Sequence, residues 1–432
     1  MMAMVAPIGA LLLGVALLLL GNGLLNTLLA MRSEAESFGG LMLGIIMSSY
    51  FVGFFIGTYI AFPIIRRIGH IRTFSIFATL VSSCALLYVV FVNPYAWILL
   101  RILNGASLVI LHTIIESWLN RQASPESRGT VFAIYMTVNL GSIALAQQLL
   151  VIDSEFTFLL FAICSVFISL SLVPIAWTKL KQPEVHDIAR IGLSTLYRAA
   201  PVAFWGALLS GLVMGAFWGM GALYASRLGL SPSQIASFIS LFIIGGALLQ
   251  LPLGRLSDNN DRRKIVAFIT IAAASIALTF IFTPKVPLII YGFAVIYGGL
   301  VFAIYPISVA HLVDHLKPQH MLAGCSSMLL LYGAGAVIGP LLAGQLIQWF
   351  GAWSLSAFWA VVPTMLTLII WKQLRSSEDE NPEEYAADFI PMVRTTPSAL
   401  EMLSQIEQGQ PQALDPEPLR DPKDGEKILS SS

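Results

Sequence analysis

Arg101, His112 and Glu116 are ionisable residues in an otherwise apolar stretch, near 96–118, of a very hydrophobic chain. At 100° per residue, Gly105, Leu108, His112 and Glu116 all fall within about 60° of Arg101 and share one helical face with it. A guanidinium in hydrocarbon is costly, so this face is expected to turn into a bundle or a wet cavity. The competing reading is that Arg101, near one end of the stretch, snorkels to water past Trp97. Arg101 and Glu116 stand about 22 Å apart along such a helix, too far to pair. The chemistry on offer is charge, hydrogen bonding and titration near neutral pH at His112 or His311. Bond cleavage is not indicated, because no Ser/His/Asp set, paired carboxylates or phosphate-loop spelling is present. No metal and no cofactor is expected.

Asn22 and Asn26 lie one turn apart on a second apolar stretch and face the same way. An amide in lipid has nothing to bond, so such a pair either ties a neighbouring helix or lines a site. Trp205, Phe217 and Trp218 form an aromatic set in another stretch, and Tyr297, Tyr305 and Pro306 in a fourth. Each aromatic alone is more often packing than binding.

The elements that would carry these residues follow from composition. Apolar residues make up 57% of the chain and charged ones 11%, too few charges to cover a soluble protein of 432 residues. A bilayer-spanning helix needs roughly 20 apolar residues. Twelve stretches qualify, near 8–31, 41–63, 73–92, 96–118, 129–152, 156–178, 201–226, 234–254, 265–283, 287–313, 321–348 and 352–373. The first has no Lys or Arg before it and outruns a signal peptide's apolar core, so it reads as a retained helix. Cys84, Cys164 and Cys325 sit in three different stretches, as small packing residues rather than a disulfide framework.

Zero net charge hides an asymmetry. From Ser376 onward the chain carries thirteen acids and four bases, leaving the membrane body basic. The even-numbered loops hold Arg66, Arg67, Arg72, Arg121, Arg128, Lys179, Lys181, Arg190, Arg198, Arg255, Arg262, Arg263, Lys264 and Lys317, and Lys372 and Arg375 follow the last stretch. The odd-numbered loops hold only Arg32, Arg227 and Lys285. The positive-inside rule then places both termini in the cytoplasm.

The expected fold is an all-α integral membrane protein with twelve transmembrane helices in two pseudo-symmetric six-helix halves. The halves run over 1–178 and 201–375, joined by a cytoplasmic linker over 179–200 and followed by an acidic tail over 376–432. That tail is poor in bulky apolar residues and cannot offset its ordering entropy, so it is expected to be disordered. The loop Ile65-Arg-Arg-Ile-Gly-His-Ile-Arg72 is echoed by Gly254-Arg-Leu-Ser-Asp258-Asn-Asn-Asp-Arg262-Arg263-Lys264. Glu116 and Asp314 close the fourth and tenth stretches, and read as matching helix-end acids. Glu116 is expected to meet Arg66, Arg67 or Arg72, and Asp314 to meet Arg262 or Arg263, as clamps on the cytoplasmic side. Asp258 is expected to cap a neighbouring helix and pair with Arg262. Parallel repeats of this kind put the site at the midplane between halves.

The spelling Gly254, three residues, Asp258, then Arg262-Arg263 resembles the short cytoplasmic loop motif of the major facilitator superfamily, and sits after the eighth segment as in that family. In the first-half loop Arg66 stands where the motif has its acid, and only Gly69 and Arg72 keep the pattern. Arg101-Ile-Leu-Asn104-Gly105 also resembles the family's helix-four pattern, where the Arg is tied to proton coupling or substrate binding. Gly335-Ala-Val-Ile-Gly339-Pro340-Leu-Leu-Ala-Gly344 is similar to a pattern that antiporters carry in helix five; here it lies in segment eleven and reads as a packing face. Leu24-Leu-Asn-Thr-Leu28, Ser48-Ser-Tyr-Phe-Val-Gly-Phe-Phe-Ile-Gly-Thr58 and Ala303-Ile-Tyr-Pro306 narrow the likeness to the YcaD-type bacterial branch, over about 8–375.

The resemblance implies an inner-membrane secondary transporter whose helices one, four, seven and ten line a central cavity. Asn22, Asn26, Arg101, Asn104, His112, Trp205, Trp218, Tyr297 and Tyr305 are then the cavity candidates. The partners implied are the lipid bilayer, a small organic solute and protons, with no nucleic acid and a monomeric protein. Such an aromatic cavity, poor in hydrogen-bonding groups, favours export of amphipathic compounds over uptake. The alternative from another class is a non-transporting sensor or scaffold acting through the acidic tail.

Overall fold

Hydrocarbon offers a backbone no water to bond, so each apolar stretch must satisfy its own N–H and C=O groups, and helix is the way to do so within one segment. The computed structural model describes residues 2–124, 127–153, 158–178, 191–283, 286–316 and 318–376. Among these, twelve helical spans are long and apolar enough to cross a bilayer: Ile8–Ala35, Gly40–Ile68, His70–Val90, Pro94–Gln122, Arg128–Ile152, Phe158–Trp177, Pro201–Arg227, Pro232–Asp258, Arg262–Phe282, Pro287–Val313, His320–Phe350 and Trp353–Arg375. They are numbered here spans 1 to 12. Most of the linker and the acidic tail from residue 377 lie outside the described residues. The end of the linker forms a short helix, Leu193–Ala199, ahead of span 7.

Several spans outrun their apolar stretches, because a helix does not stop where hydrocarbon does. Span 8 continues to Asp258, so Gly254 is buried inside a helix rather than at its exit. The turn between spans 8 and 9 is reduced to Asn259–Asp261. Span 4 runs on to Gln122, which leaves Glu116 within the helix instead of at its end. Between spans 2 and 3 the turn is Gly69 alone, at φ +83°, a conformation that side chains avoid.

Close helix approaches are made at glycines. A Cβ on Gly53 would collide with the carbonyl oxygen of Ile102, and one on Gly105 with that of Tyr50, so spans 2 and 4 touch backbone to backbone. The second half repeats this: Gly245 lies against Val295, and Gly298 against Phe242, joining spans 8 and 10. Gly335 and Gly339 of span 11 pack on span 7, at the carbonyls of Leu208 and Leu212. The small-residue run in span 11 is therefore a packing face.

The halves meet at the end opposite the basic loops. There Gly40 and Gly44 lie against Gly344 and Pro340, joining spans 2 and 11. The Leu41 amide donates to Gln348 Oε1 at 2.9 Å, Gln148 Nε2 donates to Ser240 Oγ at 2.9 Å, and Arg227 pairs with Glu34 at 3.0 Å. Deeper in, Ser48 Oγ donates to the Val337 carbonyl at 2.6 Å. The three cysteines are buried and unbridged.

Candidate functional site

Gly105 lets span 4 press against span 2, and this contact carries Arg101 under the side chains of Met47 and Tyr50. Arg101 is 2% exposed. Its Nη2 donates to Asn26 Oδ1 at 2.6 Å and to Met47 Sδ at 3.2 Å, and the guanidinium carbon sits 4.7 Å from the Tyr50 ring centre. Snorkelling past Trp97 is ruled out, since Trp97 is itself buried and bonded to the carbonyls of Tyr88 and Phe91. Asn26 then passes the connection across the molecule, with Nδ2 donating to the Trp218 carbonyl at 2.8 Å. One amide thus links spans 1, 4 and 7.

Around this link lies a cavity of about 800 Å³, including its open mouth. Asn22, Asn26, Arg101, His112 and Trp218 are on its wall, as the sequence pattern suggested. Asn22 adds a buried amide oxygen that accepts no hydrogen bond within the protein. Among the described residues, the wall holds one obligate cation, Arg101, and no carboxylate. Beside it lies a second, almost wholly apolar compartment of about 420 Å³ between spans 2 and 11, and the two share Phe51 and Phe54.

Four expected cavity residues stand elsewhere. Asn104 is fully buried but not on this wall, and neither amide atom finds a hydrogen bond within the protein. Trp205 packs edge-on against Phe204 in the first turn of span 7. Tyr297 is stacked on Phe293 and donates to the Trp359 carbonyl at 2.8 Å, inside the second half. Tyr305 packs on Tyr332, behind the apolar compartment. Aromatic rings on a predicted lining helix also serve its packed faces, and sequence does not separate the two.

Span 2 supplies what the sequence reading missed: Met47, Tyr50, Phe51 and Phe54 line the cavity. Their signal was present, because an aromatic cluster at i, i+1 and i+4 marks one helix face. Asn139 of span 5 is also on the wall.

The basic end carries a charge cluster within the second half. Arg262 Nε donates to Asp314 Oδ2 at 2.6 Å, and Nη1 donates to Asp258 Oδ1 at 2.9 Å and Ser257 Oγ at 3.0 Å. Ser257 Oγ in turn donates to the Gly254 carbonyl at 2.7 Å. Arg263 takes a different partner, Asp261, at 3.1 Å. Asp261, not Asp258, caps span 9, accepting from the Arg263 amide at 2.9 Å. Burial works to raise the Asp261 carboxyl, but the hydrogen bonds and charge of Arg263, with Lys264, outweigh it and hold the group below its usual value. Spans 8, 9 and 10 all belong to one half, so these bonds brace that half internally.

The first half differs. Counting from the paired glycines Gly53 and Gly245 puts Arg66 opposite Asp258 and His70 opposite Arg262. Counting from Gly105 and Gly298 puts Arg121 opposite Asp314, and Val309 opposite Glu116. Glu116 and Asp314 are therefore not symmetry mates. Glu116 is fully buried and accepts from Tyr135 Oη of span 5 at 2.8 Å, whereas Arg66, Arg67 and Arg72 sit exposed at the basic end.

Comparison with known proteins agrees with this architecture. The sequence model of the Major Facilitator Superfamily matches residues 11–200 and 203–406. The chain is 28% identical over 350 residues to the MFS-type transporter YcaD of Shigella flexneri serotype 5b, itself uncharacterized, covering 80% of this chain and 90% of that one. YcaD of Escherichia coli O139:H28 matches equally, at 28% over 350 residues, 80% of this chain and 90% of that one. Among solved structures, a D323A mutant of the nucleoside transporter NupG superposes with a TM-score of 0.72 at 14% identity, covering 85% of this chain and 99% of that one. A bacterial homolog of the human lysosomal transporter Spinster, inward-facing and occupied, gives 0.68 at 15%, covering 86% of this chain and 96% of that one. With twelve apolar helical spans, paired halves and a matching sequence model over most of its length, the chain belongs to the major facilitator superfamily of membrane transporters.

Proposed function

We propose that this protein moves a small organic solute by alternating access, coupled to protons and running as export. The observation that carries the reading is a polar-tipped cavity between halves that are bonded together at one end only in part by side chains able to release. Asn26 to Trp218 and Gln148 to Ser240 are single hydrogen bonds across the seam, and Arg227 to Glu34 is a two-bond ion pair. Rocking the halves would break these and leave the brace around Arg262 intact, so each half moves as a body. The excess of cations at the basic end supports a cytoplasmic position for it, which makes the sealed end the outer one.

Proton coupling draws support from His112 on the cavity wall and from Glu116, buried one turn further along the same helix. Both can exchange a proton, and the carboxyl is shielded from bulk water. Export is favoured by a wall that is mainly aliphatic and aromatic.

Liposomes reconstituted with the full chain provide the test, using a solute selected by thermal-shift screening. An imposed pH gradient is expected to drive flux, and flux indifferent to it removes proton coupling. Leu41→Cys and Gln348→Cys joined by a short bismaleimide, which adds one thiol to each maleimide, should stop flux; transport through the crosslinked protein removes alternating access.

A further inference from the structure

We infer that the cavity takes an amphipathic monoanion, its charged head on Arg101 and its apolar body running past Phe51 and Phe54 into the compartment between spans 2 and 11. The inference rests on the transport reading and names the substrate class for it.

Three observations converge. The first is charge: among the described residues, the cavity wall contains one obligate cation and no carboxylate. Arg101 keeps its charge at every physiological pH, and an amide, a thioether and an aromatic face lie against it. A solute that brings an anion into this low-dielectric space gains far more than it would in water, and a cation is repelled.

The second is an unused hydrogen-bonding group beside that cation. Asn22 is 9% exposed, lies one turn from Asn26 and has its amide oxygen unbonded. An amide turned the other way presents N–H donors to the same space, as an oxyanion head requires. Asn26 is already committed to Arg101 and Trp218, so Asn22 is the available second ligand.

The third is shape. Phe51 and Phe54 belong to both compartments, so the aromatic pair is a partition between a polar-tipped chamber and a dry one. The dry compartment is walled by side chains such as Phe55, Leu329 and Leu330, with Thr58 and Ser326 at its edge. A small hydrophilic anion has no use for it, whereas an alkyl or aryl body does, because the gain grows with apolar surface removed from water.

Equilibrium binding to the purified full-length protein in lipid nanodiscs tests this with four probes. Decanoate carries both features; decyltrimethylammonium and decanol match its chain without its charge, and butyrate matches its head without its chain. Decanoate is expected to bind at least tenfold tighter than each of the other three. Arg101→Gln is expected to erase the preference for decanoate over decanol. Leu330→Trp, which fills the dry compartment, is expected to weaken decanoate and leave butyrate unchanged. Should Arg101→Gln fail to fold, the four probes on the native protein decide alone. Equal binding of decanol or decyltrimethylammonium, or no saturable decanoate binding, overturns the anion site; butyrate binding as tightly as decanoate overturns the extended pose. Ordered binding without flux in liposomes would refute the transport reading and leave this site standing. Flux of decyltrimethylammonium but not decanoate would do the reverse.

Discussion

Arg101 donates to Asn26 at 2.6 Å, and Asn26 in turn donates to the backbone of Trp218 at 2.8 Å, so one half-buried amide joins the first half's intramembrane cation to the second half. A solute head group that engages Arg101 competes for the same guanidinium and loosens the amide that holds span 7. Occupancy and opening are thereby coupled through a single side chain.

Replacing Asn26 tests that coupling. Interhelical hydrogen bonds in membranes contribute roughly 0.6–1.5 kcal/mol. Asn26→Ala is therefore expected to shift the population toward separated spans 1 and 7 by roughly threefold to tenfold. Spin-label distances between the two spans at the sealed end report the change, and an unaltered distance distribution would remove Asn26 from the coupling.

The brace at the basic end makes a graded prediction. Asp314 is 8% exposed and Asp258 is 23% exposed, and both are bonded to Arg262. Removing the more buried partner leaves a poorly compensated buried charge, at a cost of about 3 kcal/mol. Asp258→Asn, at the wetter position, should cost on the order of 1 kcal/mol. Thermal unfolding in nanodiscs should rank Asp314→Asn below Asp258→Asn, with the native protein highest.

Transport should show the asymmetry between the two halves. Asp258→Asn is expected to slow flux more than Arg66→Ala, because Arg66 is exposed and stands where the second half has Asp258. Equal, negligible effects on initial rates would refute it.

Gly105 should tolerate nothing larger. Even Gly105→Ala drives a methyl into the Tyr50 carbonyl and forces spans 2 and 4 apart. A destabilisation of about 1–3 kcal/mol is expected, with weakened ligand binding at Arg101. Gly141 has open space around its missing Cβ. Gly141→Ala should be neutral or stabilising by about 0.5–1 kcal/mol, and melting curves of the two variants compare them directly.

Asp261 predicts a pH dependence. Its carboxyl is held below the usual value when folded, so the stability it contributes is complete above the unfolded pKa. That stability is lost as pH falls through the folded pKa. Asp261→Asn keeps a side chain able to cap span 9 but removes the charge. The variant should be less stable than the native protein at neutral pH, and the gap should close on strong acidification. A gap constant with pH would show that the cap acts without its charge.

The sequence by itself determined the spans and their pairing into halves. Hydrocarbon excludes unpaired backbone groups, so an apolar stretch of about 20 residues can be read as a helix without further information. The pairing of Asp258 with Arg262 was legible because a salt bridge between i and i+4 is a local fact. Arg101, His112, Asn22 and Asn26 were legible on the same ground, since polar residues on one helical face in lipid must turn inward.

Tertiary structure decided the rest. Tyr297 and Trp205 look like Trp218 in sequence, yet only Trp218 reaches the cavity, because lining depends on which face the neighbouring helix leaves uncovered. Span 2 gained its place on the wall through the backbone contact at Gly53 and Gly105, between residues far apart in the chain. The same contact set the register that made Arg121, and not Glu116, the mate of Asp314. A helical pattern fixes direction around one axis; the depth and rotation of one helix against another are settled only by the side chains packed between them.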